Sequence, residues 1–282
     1  MQKVSKQKSL EIEIAKIKKV GKTIGFVPTM GALHDGHLSL VRECKRKCDV
    51  SVISVYVNPT QFNDKADLAN YPRDIDADMA KLDSIGGVDF VYTPIDEELY
   101  PDQKLLDFDI GYYDTIMEGA NRPGHFIGVI TVVDKLFNIV KPDYAFFGEK
   151  DYQQLAIIRN MSKAIHENII IEACATLREK SGLAMSSRNE LLSQEERTEA
   201  ANIYRCLKST VGRIDCFKSV SELKEYVVNE IDSYSSLRTE YFEIAHSDSL
   251  RNTQSMNELS TSRAFIAVRC GKVRLIDNIS FN

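Results

Sequence analysis

The sequence has no tryptophan, and only seven prolines and fourteen glycines among its 282 residues. That scarcity excludes a collagen repeat and a low-complexity tail. Six cysteines in a chain this long exclude a disulfide-stapled mini-protein. Long apolar runs are missing too. The longest, residues 50–57, is eight residues, whereas a membrane-spanning helix needs about 20. There is no excess of positive charge. Lysine plus arginine number 36 against 41 aspartate plus glutamate, a net charge of -5. A dedicated nucleic-acid binder is normally basic, so neither a nucleic-acid nor a membrane partner is expected. A local basic pocket for a phosphorylated ligand stays open. The first nine residues carry lysines with no apolar core behind them, so no signal peptide is expected. The cysteines are then expected as reduced thiols in a cytoplasmic protein.

What remains is an ordinary globular composition, 43% hydrophobic and 27% charged, long enough for one large domain or two. No internal repeat is found. The first half alternates strand and helix signals. Residues 23–28 form a short apolar strand, followed by a loop over 29–36 and a helix from about 37 to 48. Leu38, Val41, Cys44 and Cys48 share one face of that helix. Cys44 and Cys48 read either as one buried and one half-buried thiol or as half of a zinc site. The second reading needs two further ligands, and none stands at a sensible spacing. Residues 50–57 are rich in β-branched side chains, as in a strand covered on both faces. Ile75, Met79, Leu82 and Ile85 mark a helix stopped by Gly86-Gly87. Further strands are expected over 88–93, 144–147 and from 169, with helices over 130–140 and 153–166. Such alternation argues for a parallel sheet with helices on both faces. Ligands of such sheets bind beyond the carboxyl ends of the strands.

Residues 178–188 are polar and read as a hinge region. Ser193-Gln194-Glu195-Glu196 is a capping box that opens a helix. A second helix over 219–231 and strands near 241–245, 264–269 and 273–276 suggest a smaller α+β domain. The expected division is 1–176 and 177–282.

Four loops carry chemistry. Met30-Gly31-Ala32-Leu33-His34-Asp35-Gly36-His37 follows the first strand and runs into a helix. A helix N-terminus suits phosphate, glycine allows close approach, and imidazoles can donate to phosphate oxygens. Spacing alone leaves two surface histidines equally open. Phe147-Gly148-Glu149-Lys150-Asp151 also follows a strand and opens a helix. Lys150 is a mobile phosphate-binding charge, and Glu149 or Asp151 could hold Mg²⁺. A solvated capping turn is the plainer alternative. Met185-Ser186-Ser187-Arg188 offers hydroxyls and a guanidinium suited to a triphosphate, or is an ordinary polar loop. Asn58 and Gln61 follow the second buried strand, where amides can hold a hydroxy acid; a simple turn is the alternative. There is no Gly-x-x-x-x-Gly-Lys-Ser/Thr and no Gly-x-Gly-x-x-Gly after the first strand. Jointly the four loops point to an α/β enzyme acting on a nucleoside triphosphate.

These strings resemble the pantothenate synthetase (pantoate–β-alanine ligase) family of the nucleotidyltransferase superfamily. The likeness spans residues 25–37, 57–62, 71–73, 122–126, 146–154, 182–189 and 274–278, in order. It implies a Rossmann-like first domain followed by a smaller α+β domain that closes over ATP. It implies that (R)-pantoate and ATP form pantoyl adenylate and pyrophosphate, and that β-alanine then yields pantothenate and AMP. Mg²⁺ and a homodimer come with it. Carried over by position, Met30 to His37 line the ATP site, with His34, His37, Lys150 and Arg188 acting on the phosphates. Gly148, Glu149 and Asp151 contact ATP, as do Met185, Ser186 and Ser187, and the backbone of Leu177 meets adenine. Gln61 and Gln154 hold pantoate, with Met30, Asn58 and Phe147 beside them; Asp78 and Asp151 are the metal candidates. The chain departs from the family at Lys180-Ser181, where an Asp usually precedes Gly182, and at His246, where an Asp is common. A dinucleotide- or CDP-alcohol-forming transferase shares the His-x-Gly-His element, but residues 58–62 suit a small acid better than a phosphorylated acceptor. An aminoacyl-tRNA synthetase fragment fits poorly with the acidic charge. A non-catalytic relic fits poorly with the full set of polar groups.

Overall fold

The computed structural model describes residues 1–63 and 65–282, in two compact units. One comprises Met1–Glu149 with Gln153–Ala175, the other Lys150–Tyr152 with Thr176–Asn282. The short turn Lys150–Tyr152 thus belongs with the second unit although it lies within the first in sequence.

The first unit runs β1 (Gln2–Val4), α1 (Gln7–Lys19), β2 (Ile24–Thr29), α2 (Asp35–Lys47) and β3 (Val50–Val55). It continues with α3 (Lys65–Asn70), α4 (Ile75–Ser84), β4 (Phe90–Tyr92), α5 (Asp96–Leu99) and α6 (Met117–Asn121). It ends with α7 (His125–Val140), β5 (Tyr144–Gly148), α8 (Tyr152–Ile165) and β6 (Ile170–Cys174). The six strands are all parallel, in the order β1-β4-β3-β2-β5-β6. Strand order reverses direction between β2 and β5, which is where an open α/β sheet forms its ligand crevice. The β-branched run of β3 is buried over its first five residues, as expected of a strand covered on both faces. Val27, Val41, Ile53, Leu82 and Phe146, all fully buried, belong to a core that also includes Leu38 and Cys44.

The β2–β3 ladder continues through Thr29↔Val55, but the β2–β5 ladder stops at Phe26↔Ala145. Pro28 lies two residues past that stop. It has no N–H to give, and proline inside a strand is tolerated only where one side carries no ladder. The two central strands therefore part at their carboxyl ends.

Several boundaries differ from the sequence reading. α2 begins at Asp35, two residues early, because His34 caps it. α7 begins at His125, five residues before the expected start. Gly128 lies inside the helix, where a Cβ would stand 2.3 Å from the Thr60 carbonyl oxygen. The sequence pattern marks neither β1 nor α1. β1 is only three residues long and pairs with β4 at the sheet edge, and α1 buries just Leu10 and Ile14. Cys44 is buried and Cys48 half-buried, the bland alternative for that pair. Burial pushes both thiols up, Cys48 to about 11, which disfavours their thiolate forms.

The second unit contains α9 (Gln194–Val211) and α10 (Val220–Asp232) packed with an antiparallel sheet, β7 (Leu237–His246), β8 (Ser262–Cys270) and β9 (Val273–Ser280). Ser193 and Glu196 form the reciprocal capping box that opens α9. His246 makes local contacts only, its Nδ1 3.3 Å from Thr261 Oγ1 and its Nε2 3.7 Å from Glu258. Among the described residues no helix is long and apolar enough to cross a membrane.

Gly25 gives the packing of β2 against α2 a direct test. A Cβ there would stand 2.4 Å from Cys44 Sγ and 2.8 Å from Cys48 Sγ. Gly25→Ala is expected to destabilise the protein by about 1–3 kcal/mol through overpacking. Urea unfolding measures it, and adding Cys44→Ala, which removes the nearer of the two sulfurs, should recover part of the loss. An unchanged midpoint for the single variant would contradict this packing.

Candidate active site

The polar loops of the first unit lie beyond the carboxyl ends of β2, β3 and β5, which are neighbours in the sheet. After β2 the chain must turn sharply into α2. Gly31 and Ala32 both take positive φ, 79° and 49°. That conformation is costly for alanine, so something must hold it. The holder is Asp78 on α4. Its Oδ2 accepts from Ala32 N at 3.0 Å and its Oδ1 from Leu33 N at 2.7 Å. Lys81, one turn along, donates to the Leu33 carbonyl. Asp78 is 2% exposed. Burial pushes its carboxyl up, and the Leu33 and Ala32 amides draw it back down. Both oxygens of Asp78, one of the two metal candidates, thus brace the loop.

The same turn orients the imidazoles. His34 caps α2, its Nδ1 accepting from Gly36 N at 3.1 Å, and His37 Nδ1 accepts from His34 N at 3.3 Å. The rings lie 4.1 Å apart. Each ring nitrogen that accepts cannot carry the proton, so both rings are Nε2–H tautomers. Two N–H donors therefore sit at a helix N-terminus, with Asp35 exposed and Gly36 opening the first turn.

After β3, Asn58 is 1% exposed and uses its whole amide within the protein. Its Nδ2 donates to Gln61 Oε1 and to the Gly128 carbonyl, both at 3.1 Å. Its Oδ1 accepts from Tyr100 Oη at 2.7 Å and from Thr60 Oγ1 at 3.0 Å. The sequence places Asn58 against substrate, but here it holds Gln61. Gln61 Nε2 donates to Met30 Sδ at 2.8 Å, and the Gln61 carbonyl lies 2.8 Å from His125 Nδ1. Arg122 Nη2 donates to that carbonyl at 3.4 Å. The Arg122–His125 string is legible as a family string, but its bracing role depends on α7 lying against the Pro59–Gln61 turn, which no local pattern reveals.

After β5, Phe147 is buried and packs edge-on against Phe137, 6.5 Å between ring centres. Gly148 and Glu149 are half-buried. Of two consecutive glutamines on α8, Gln153 is 4% exposed and committed: Nε2 donates to the Tyr113 and Ile116 carbonyls, and Oε1 accepts from Glu118 N. Gln154 is half-buried.

In the second unit Lys150 and Asp151 are paired at 3.7 Å, and Asn278 Nδ2 donates to the Lys150 carbonyl. Leu177 and Met185 face each other across a tight hairpin, Met185 N donating to the Leu177 carbonyl at 3.0 Å. Ser186 Oγ accepts from Arg188 N at 3.2 Å at the start of the short turn Ser187–Leu191. Ser181 stands where the family has Asp, and its Oγ accepts from Leu183 N at 3.4 Å, the same side-chain turn an Asp makes. Among the described residues no group of three or more metal-binding side chains forms a metal site.

Asp78→Asn leaves one oxygen for two amides and turns an NH₂ towards a backbone donor. A loss of about 1–3 kcal/mol in urea unfolding at pH 7 is expected for the orphaned amide. A midpoint equal to wild type would show that Asp78 does not hold this loop.

A sequence model of the family described as pantoate-beta-alanine ligase matches residues 2–280. The pantothenate synthetase of Bacteroides fragilis (strain YCH46) is 47% identical over 274 residues, 97% of this chain and 96% of the relative. That of Phocaeicola vulgatus is 47% identical over 282 residues, covering 100% and 99%. The crystal structure of pantothenate synthetase from Thermus thermophilus superposes with a TM-score of 0.91 at 38% identity, covering 100% of this chain and 99% of that one. A pantoate-beta-alanine ligase from Francisella tularensis, complexed with beta-gamma ATP and beta-alanine, gives 0.83 at 38% identity, covering 100% and 98%. With its parallel sheet, its imidazole and amide loops in place and the likeness running from end to end, the chain belongs to the pantoate–β-alanine ligase family.

Proposed function

We propose that this chain joins (R)-pantoate to β-alanine with ATP, through a pantoyl adenylate, releasing pyrophosphate and AMP. One observation carries the reading at the level of atoms. The Gln61 amide, fixed by Asn58, reaches Met30 of the imidazole loop, so the small-acid loop and the phosphate loop form one hydrogen-bonded assembly. Adenylation demands that pairing, a carboxylate held beside an α-phosphate.

In the first step a pantoate carboxylate oxygen attacks the α-phosphorus, and the bond to the β-phosphate oxygen breaks. In the second the uncharged amine of β-alanine attacks the acyl carbon. The bond to AMP breaks and the amine gives up a proton. Negative charge grows on the phosphate oxygens in the first transition state. We assign its stabilisation to the Nε2–H groups of His34 and His37, to Lys150, and to Arg188 with Ser186 and Ser187. Gly31, Ala32, Leu33, Gly148, Glu149, Met185 and the Leu177 backbone complete the nucleotide site. Gln61 and Gln154 take pantoate, and Gln61 then takes β-alanine, because an amide both donates and accepts. Phe147 supports the pocket from the core. Mg²⁺ belongs to the proposal as the counter-ion of the triphosphate, which keeps most of its ligands as water and phosphate oxygens. Asp151, about half exposed, and Asp78, whose oxygens also accept from two amides, are its candidate carboxylates. A homodimer and a cytoplasmic location complete the reading. The resemblance suggests the first, and six free cysteines suit the second.

The decisive experiment is isotope exchange. With pantoate but no β-alanine, labelled pyrophosphate should enter ATP. Exchange that requires β-alanine would exclude a free-standing adenylate. In the same assay Gln61→Ala should raise the pantoate KM by at least about tenfold and leave the ATP KM within about twofold. An equal rise in both would take Gln61 out of the acid site.

Lys150→Ala and His37→Ala should each slow adenylation by about 10²–10³, the usual loss for one preorganised donor. With synthetic pantoyl adenylate supplied, attack by β-alanine should suffer less. Single-turnover rates of the two half reactions measure this. Equal losses in both steps would assign these residues to nucleotide binding alone.

A further inference from the structure

The hairpin that carries the Leu177 backbone and residues 185–188 is clamped by a carboxylate that the proposed mechanism does not use. Glu179 lies in the first arm. Its Oε1 accepts from Asn189 Nδ2 at 2.9 Å and from Arg197 Nη2 at 2.8 Å, and its Oε2 accepts from Arg197 Nε at 3.0 Å. A two-point guanidinium fork and one amide N–H thus meet on one carboxylate, a geometry that fixes direction as well as distance. Arg197 stands in the first turn of α9, whose start is fixed by the Ser193–Glu196 capping box. Asn189 follows Arg188 directly and is 3% exposed, and its Nδ2 also donates to the Ala184 carbonyl at 3.0 Å. One amide therefore ties both ends of residues 184–189 to Glu179, and through it to a helix.

The backbone supports the same path. Glu179 N donates to the Leu183 carbonyl at 2.9 Å, and Gly182 N to the Glu179 carbonyl at 2.9 Å. Gly182 takes φ of 95°, which closes the hairpin. Beside it Arg178 pairs with both oxygens of Asp277, at 2.6 and 2.9 Å, and lies 3.5 Å over the Tyr204 ring. Asn189 Oδ1 is buried with no partner among the described residues. A buried acceptor left unpaired opposes folding, so stability alone is a poor reason to have this amide here. Its orientation is set by what its Nδ2 holds.

We propose that Glu179 is a positioning residue for the phosphate-binding segment. Through Asn189 and Arg197 it sets the direction in which Ser186, Ser187 and Arg188 are presented. This rests on the reading that those three meet the triphosphate.

The test is pantoate-dependent pyrophosphate exchange by the full chain, with thermal unfolding alongside. The variants are Glu179→Gln, Arg188→Ala, their double and Arg197→Lys. Glu179→Gln should lower exchange at saturating ATP by at least about tenfold while the pantoate KM stays within about twofold. Arg188→Ala should fall by a similar factor. If Glu179 works through this segment, the double variant should be no more than about threefold worse than the poorer single, rather than about a hundredfold worse than wild type. Arg197→Lys keeps the charge and loses the fork, and its side chain is 42% exposed, so it should fold normally. It should still lose exchange several-fold, even if Glu179→Gln proves unstable. An impaired Arg188→Ala beside a fully active Arg197→Lys or Glu179→Gln overturns the positioning role, as do losses that multiply in the double. A fully active Arg188→Ala overturns instead the assignment of the segment to phosphate.

Discussion

The architecture of the first unit depends on where one hydrogen-bonded ladder stops. β2 is a central strand, yet it pairs with β5 over only two residues while pairing with β3 over six. Pro28 cannot donate on the open side, so no slip of register can close the gap. The gap falls where strand order reverses, and both flanking strands deliver their next loop to it. A long ladder here would bury the amides of the turn at Gly31 and leave no crevice. The site is thus prepared by a missing interaction, and everything after Thr29 has to be held by side chains arriving from elsewhere.

Most of those side chains come from outside the loops they support. Asp78 and Lys81 on α4 hold the positive-φ turn, and Asn58, His125 and Arg122 hold Gln61. The result is a set of donors whose directions are fixed before any ligand arrives. Preorganisation of that kind lets a donor stabilise charge that appears only in a transition state, without reorganisation at that moment. The imidazoles illustrate it. Backbone N–H groups occupy both Nδ1 atoms and thereby place both protons on Nε2.

Much of this is legible in the sequence. The alternation of β-branched runs with helical periodicity marks the parallel sheet, and the loops fall at its carboxyl ends as the pattern requires. The α9 capping box is legible because its signal is contained in four residues. What escapes is non-local. α7 starts early because Gly128 meets a carbonyl from a turn some seventy residues before it in sequence. β1 is too short for a periodic signal and exists because β4 offers it an edge. The departure at Lys180-Ser181 is legible as a difference in pattern, but not that Ser181 Oγ accepts from Leu183 N in a side-chain turn. Turn chemistry depends on an oxygen at the right reach, which serine and aspartate share.

The least legible distinction is between neighbouring residues of one type. Asn58 and Gln61 are both buried amides beyond one strand, and Gln153 and Gln154 are consecutive. Counting hydrogen bonds separates them. Asn58 and Gln153 each have donor and acceptor atoms taken by the protein itself. Gln61 ends in a thioether contact with Met30, a weak acceptor that a better one can displace. In each pair the first amide is therefore scaffold, and the later one is the residue proposed to take pantoate. The same count gives Asp78 a scaffold role, since each of its oxygens accepts from a backbone amide. A buried polar group is costly unless it is paired. Residue type and spacing select the candidates for a site like this one, and the supply of unspent hydrogen bonds then decides which of them can meet a substrate.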